Sequence, residues 1–200
     1  MPENSLQDQR EIYTLGHSNH SIDTFMHLLH CLNIQVVVDI RSKPISQVVP
    51  HFNRKSLEGA LKSAGFKYMY LGKDLGGRPE SKEFYDADGH VLYGLVARTP
   101  AFNKAIDRLL RGIQRYRVAL LCSEENPTNC HRRLLVGRVL LNHGVRIQHI
   151  RGDGRIQMEE EFLSGESNDQ LALFERKESD EWRSTQSVLP GKARNNSSEP

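Results

Sequence analysis

No stretch of this 200-residue sequence approaches the roughly 20 consecutive apolar residues needed to cross a bilayer. Met1 to Arg10 lacks the basic start and apolar centre of a secretory signal, so a cytoplasmic protein with no membrane partner is expected. Cysteine is scarce and odd in number, at three residues. That argues against a disulfide framework and leaves reduced thiols for packing, metal binding or catalysis. Aromatic residues make up 7% of the chain and include one tryptophan, and no aromatic-rich platform for stacking single-stranded bases is evident. Internal repeats are also lacking.

What is present is strongly patterned. The formal net charge is only +2, yet residues 101–155 hold eleven Lys/Arg against four Asp/Glu and residues 156–200 hold five against ten. A basic middle suits an anionic partner, a small molecule or a nucleic acid, although arginines on solvated helix faces give the same composition. Glu159 to Glu161 read as a solvated acidic face, residues 171–174 as a possible helix, and residues 186–200 as too poor in apolar surface to order.

Strand and helix signals alternate from residue 12 to residue 150. Strands are expected at 12–15, 36–40, 66–71, 118–121 and 146–150. Between them lie helical stripes: one after Ser21 as N-cap, one through Leu57 and Leu61 ended by Gly65, and one opened by Thr99-Pro100. A fourth covers 130–142, and Gly144 follows it. A polar excursion over 73–89 reads as a long loop, with a short helix near 91–97. Residues 156–158 can pair back as a short edge hairpin after the Gly152-Asp153-Gly154 turn. The pattern predicts a single α/β domain over 11–158, a mostly parallel five-stranded sheet with helices on both faces, and an acidic, partly disordered extension over 159–200.

In such a fold the polar residues just past the strands converge on one edge. The most informative segment is Val118-Ala-Leu-Leu-Cys-Ser-Glu-Glu-Asn-Pro-Thr-Asn-Cys-His-Arg132, a buried strand, a polar loop and a helix start. It puts Cys122 and Glu124 at a strand end and Cys130, His131 and Arg132 in the first turn of a helix, where free N–H groups favour an anion. Cys122 is a candidate nucleophile, or a buried inert thiol. Glu124 is the best general acid or base among the carboxylates, and His17 is a second candidate near neutral pH. Asp39 can orient His17 or pair with Arg41. Arg41, Arg78 and Arg132 form a candidate anion clamp. Gly76 and Gly77 allow either close backbone approach to a ligand or a tight turn.

These pieces, in this order, resemble a known family, the bacterial and archaeal proteins called domain of unknown function 488. The resemblance runs over about residues 12–153. It is carried by Thr14-Leu-Gly-His-Ser18, Asp39-Ile-Arg41, Phe52-Asn-Arg54 with Leu57 and Leu61, Tyr70 leading to Leu75-Gly-Gly-Arg78, Leu121-Cys-Ser-Glu124, Cys130-His-Arg132 and His149-Ile150. It implies a compact α/β domain and no particular reaction, and it adds Arg54 and Tyr70 to the candidate binding residues. The order of strand, Asp-x-Arg and a later strand ending in cysteine is also similar to rhodanese-like sulfurtransferases. In that family the loop after the cysteine closes within about six residues around an anion, whereas here the loop contains Pro127 and two acids.

Three functions are therefore expected to compete. The first is an enzyme acting on a phosphate-bearing substrate, a nucleotide or nucleic acid, through Cys122, Glu124, His17 and Asp39. Arg41, Arg54, Tyr70, Gly76, Gly77, Arg78, His131 and Arg132 would bind that substrate. The second is a non-catalytic metal-binding or redox-sensing protein in which Cys122, Cys130, His131 and a further histidine hold a transition metal such as zinc or iron. The third is a nucleic-acid-binding accessory module using Arg108, Arg111, Arg115 and Arg117.

Overall fold

The fold is taken from a computed structural model and is described over residues 10–165 and 182–188. Six strands form one sheet: β1 (Glu11–Gly16), β2 (Val36–Asp39), β3 (Lys67–Tyr70), β4 (Val118–Cys122), β5 (Arg146–Ile150) and β6 (Ile156–Met158). They lie side by side in the order β3-β2-β4-β1-β5-β6. Five run parallel, as the alternation of elements predicts, and β6 pairs antiparallel with β5 as the expected edge hairpin.

Local chemistry sets the helix ends. Ser21 caps α1 (Ile22–Cys31) by accepting from the Thr24 N–H at 3.1 Å. Thr99 caps α5 (Pro100–Ile113) by accepting from the Phe102 N–H at 3.2 Å, with Pro100 in the first turn where its missing N–H costs nothing. Gly65, just past α2 (Arg54–Ser63), and Gly144, after the later helix, take φ of 86° and 72°, a region that β-carbons disfavour.

Side chains alternate across the sheet and build two cores. Tyr13, Leu15, Val37, Ala119 and Leu121 face α1 and α2. Val36, Val38, Val118, Leu120 and Ile147 face α5 and the helical segment after β4. Leu120 has no exposed surface, so its replacement by alanine would cost about 2–5 kcal/mol through lost transfer energy and a cavity.

Several expectations change. The excursion over 73–89 is partly ordered, by α3 (Gly72–Leu75) and a 3₁₀ turn at Lys82–Phe84, ahead of α4 (Tyr93–Ala97). The helix over 130–142 opens with a widened π stretch, Arg132–Gly137, before α6 (Arg138–Asn142). Glu159, at the start of α7 (Glu159–Gly165), is not on a solvated face: it is buried and accepts from Arg133 Nε at 2.8 Å and His149 Nε2 at 2.7 Å. His149 Nδ1 in turn takes the Thr14 hydroxyl at 2.7 Å, which spends that histidine inside the core. Residues 186–188, expected to lack order, lie against the domain with the rest of 182–188. The helix expected over 171–174 falls outside the described residues.

Candidate functional site

β2 leads leftward to β3 and β4 leads rightward to β5, so the chain diverges between two neighbouring strands. The carboxyl ends of such strands form a crevice without any side-chain help. The crevice here has a volume of about 270 Å³ and is lined by residues at and just past the ends of both strands, Arg41 to Lys43 and Cys122 to Glu124.

One half of the site is built around sulfur. Cys122 ends β4 level with Gly16 of β1 and points to the same face as Val118 and Leu120. The Cys130 thiol donates to Cys122 Sγ at 3.3 Å, and His131 Nδ1 lies 3.6 Å from the same sulfur. His131 Nε2 donates to the Ile40 carbonyl at 3.1 Å, which leaves Nδ1 for the thiol. The hydrogen bond from Cys130 holds the Cys122 thiol well below its ordinary pKa; burial opposes this, and His131 and Arg132 reinforce it. Burial and then the neighbouring Cys122 sulfur push Cys130 well above. Burial works against charge on His131, but Cys122 outweighs it and raises that pKa. The arrangement favours a Cys122 thiolate beside a His131 imidazolium, with Cys130 retained as thiol.

The other half is ionic and belongs to the opposite face. Asp39, fully buried, holds Arg41 in a fork: Nε donates to Oδ1 at 2.9 Å and Nη2 to Oδ2 at 2.6 Å. Tyr68 donates its hydroxyl to the same carboxylate at 2.8 Å. Arg41 Nη1 donates to His17 Nε2 at 3.0 Å, so the imidazole carries its proton on Nδ1 and donates it to the Ser18 carbonyl at 2.7 Å. The His17 ring also stacks on Phe52 at 4.3 Å. Burial, with the Arg41 charge beside it, pulls the His17 pKa down to about 4, against the Ser18 hydrogen bond. His17 therefore stays neutral and positions Arg41; both its nitrogens are occupied, so it is not placed as an acid or base.

The loop between the halves is held from inside. Arg132 is buried, and its two terminal nitrogens donate to the Glu124 and Glu125 carbonyls. It braces the loop and does not reach the crevice, and the Cys130 N–H is spent on the Pro127 carbonyl. A β-carbon at position 16 would collide with the Glu124 carbonyl and the Arg132 guanidinium, which explains the glycine. Gly77 has a similar reason: its β-carbon would sit 2.6 Å from His131 Cγ. The neighbouring Gly76 abuts Gly72 and Ser42. These glycines serve the packing of the site.

Cys122, Glu124, Arg41, Gly77, Arg78 and His131 thus meet at one opening. Glu124 and Arg78 stand exposed at its rim. Arg54 does not join them; its guanidinium lies over the Tyr70 ring at 4.0 Å, and Tyr70 donates to the Ser42 carbonyl at 3.3 Å. Sequence reasoning missed Lys43, Tyr93 and Ser184, which also line the crevice. Lys43 was legible as a second cation two residues beyond Arg41, whereas nothing local marks Ser184. Among the described residues, Cys122, Cys130 and His131 form the cluster whose ligand atoms could hold a metal, all lying within 4.8 Å of one another. The basic block lies elsewhere. Arg115 and Arg117 precede β4 at the amino-terminal ends of the strands, away from the crevice, and Arg117 is engaged by Glu11 at 3.2 Å.

Comparison with curated proteins and with solved structures gives no match. Among protein families, the model described as Domain of unknown function DUF488 matches residues 21–139. The matched span contains α1 through the π stretch and both cysteines of the cluster, and stops short of the flanking motifs at Thr14 to Ser18 and His149-Ile150. It covers more than half of the chain, which therefore belongs to the DUF488 family.

Proposed function

We propose that the crevice is the active site of a thiol-dependent enzyme acting on a phosphate-bearing substrate. The observation that carries this reading is Cys122 Sγ at a strand end, given a hydrogen bond by Cys130 at 3.3 Å and flanked by His131 at 3.6 Å, beside a cationic opening. A thiolate prepared in this way is a nucleophile at neutral pH. Lys43 and Arg78 supply positive charge for the anion, and Arg41, held in place by Asp39, offers its remaining guanidinium N–H donors. Glu124, at the rim, gives or takes the proton that the reaction moves. Purified protein assayed for turnover against phosphomonoesters, nucleotides and short oligonucleotides tests the proposal. Cys122→Ala and Arg41→Met should each lower kcat/KM at least 100-fold and Glu124→Gln at least 10-fold. Full activity in both Cys122→Ala and Glu124→Gln would refute it.

A second reading is favoured by one feature of the same cluster. The separation of 3.3 Å between the sulfurs is close to the edge of a tetrahedral zinc–thiolate site, about 3.8 Å. His131 donates its other nitrogen to a backbone carbonyl as metal-bound imidazoles do. Three protein ligands with the fourth position open to the crevice would suit zinc or iron. Elemental analysis separates the two readings: about one equivalent of metal, lost in Cys130→Ser, supports the metal centre, and a metal-free protein with a titratable Cys122 supports the thiolate.

A further inference from the structure

Residues 182–188 line one side of the crevice and are fastened there by contacts spread along their length. Trp182 Nε1 donates to the Leu134 carbonyl at 2.9 Å, and its ring packs against Tyr93 and under the Arg138 guanidinium. The Trp182 carbonyl accepts from the Gly94 N–H at 3.0 Å, and the Ser184 N–H donates to the Val91 carbonyl at 2.8 Å. Ser184 is itself buried; its hydroxyl accepts from the Val91 N–H at 2.9 Å and donates to the Gln186 carbonyl at 2.7 Å. Val188 N–H donates to the Gly89 carbonyl at 3.0 Å, and Arg183 pairs with Asp86. Four residues of this strap, Ser184, Gln186, Ser187 and Val188, line the same cavity as Cys122 and Arg41.

Two consequences follow from the placement. The anchors are backbone bonds to residues 89–94 and a tryptophan on α4 and the π stretch, so the strap is bound as firmly as an edge strand and is part of the wall. With that wall in place the opening holds about 270 Å³, at the small end of ligand-binding cavities. A continuous polynucleotide would need a groove open at both ends and a series of cations along it. The cations here, Arg41, Lys43 and Arg78, instead line one compact crevice.

Building on the thiol-enzyme reading, we propose that residues 182–188 form a substrate-size filter that restricts the crevice to small phosphate-bearing molecules, about one nucleotide in bulk, and excludes polymers. The strap's polar side chains from Gln186 and Ser187, with Ser184 fixing the backbone between them, face the non-phosphate part of the substrate while the cations opposite hold the anion.

The filter is tested on full-length protein in a Cys31→Ser background, which removes the exposed thiol. Alkylation of Cys122 by N-methylmaleimide is compared with alkylation by a 5-kDa (~5,000 Da) polyethylene-glycol maleimide, the same reactive group on a bulky carrier. Modified sites are mapped by mass spectrometry. With the strap intact, the rate ratio of small to large reagent should exceed that of a free thiol at least 10-fold. Trp182→Ala should bring it back to the free-thiol ratio with the small-reagent rate within about 2-fold. Ser184→Ala, a milder change with circular dichroism as a check on folding, should shift the ratio the same way to a lesser degree. Ratios equal to free thiol in the intact protein, or unchanged in both variants, overturn the filter and leave the thiol-enzyme reading standing. A Cys122 that neither reagent reaches, with or without Trp182, overturns both.

Discussion

Acidification should weaken this protein through His17, by an amount that the surroundings of the imidazole set. In the folded chain its Nε2 accepts from Arg41 and its Nδ1–H is given to Ser18, so a proton can be added only by losing the Arg41 hydrogen bond and placing two cations side by side. The folded pKa lies at about 4, below the 6.5 of a free histidine. Between those values the unfolded chain carries a proton on His17 that the native state refuses, so stability falls as the pH drops from 6.5 toward 4 and is unaffected by this residue above 6.5. A displacement of that size corresponds to about 3 kcal/mol when complete. Glutamine at position 17 keeps an acceptor for Arg41 and does not titrate. Urea unfolding of the native protein and of His17→Gln at pH 7.5, 6, 5 and 4 should therefore give a difference in unfolding free energy that moves by about 3 kcal/mol in favour of the variant on acidification. Carboxylates and His149 titrate in both proteins and cancel. A difference that stays constant across the range would refute the assignment of His17 as a neutral positioning residue.

Other perturbations reach the remaining parts of the site. Cys122 alkylation should rise less steeply from pH 7 to pH 9 than that of an ordinary thiol, which gains roughly 25-fold, and Cys130→Ala should restore part of that dependence. Gly77→Ala should push the His131 ring off the Ile40 carbonyl, cost about 1–3 kcal/mol in a urea melt and slow Cys122 alkylation; unchanged alkylation would mean that His131 does not prepare the sulfur. Glu159→Ala removes the carboxylate shared by Arg133 and His149 and should cost about 3–5 kcal/mol by the same melt, whereas loss under 1 kcal/mol (~1) would show that the pair is relaxed by solvent.

What the sequence made legible was local. Ser21 and Thr99-Pro100 announce their helices because capping involves the next three residues alone. Cys122, Cys130 and His131 could be grouped because one short loop carries all three. Residues whose role depends on remote neighbours were less readable. His17 looks like an acid or base until Arg41 and Phe52 enclose it. Arg132 looks like an anion ligand until it turns back beneath its own loop. Glu159 begins an acidic run that reads as solvated, yet a buried arginine and a buried histidine both need it. The strap at 182–188 has no periodicity to announce it, because backbone bonds and one tryptophan hold it in place of an amphipathic face.

The alternation of side chains across β2 and β4 divides the crevice between two layers. The sulfur group is rooted in the α5 side and the guanidinium group in the α1 and α2 side. Changes in packing beneath Phe52 or Tyr68 therefore shift the Arg41 guanidinium while leaving the thiol's surroundings alone, and changes beneath Leu120 do the reverse. The guanidinium and the sulfur thus have separate adjusting screws within a fold that presents them at a single opening.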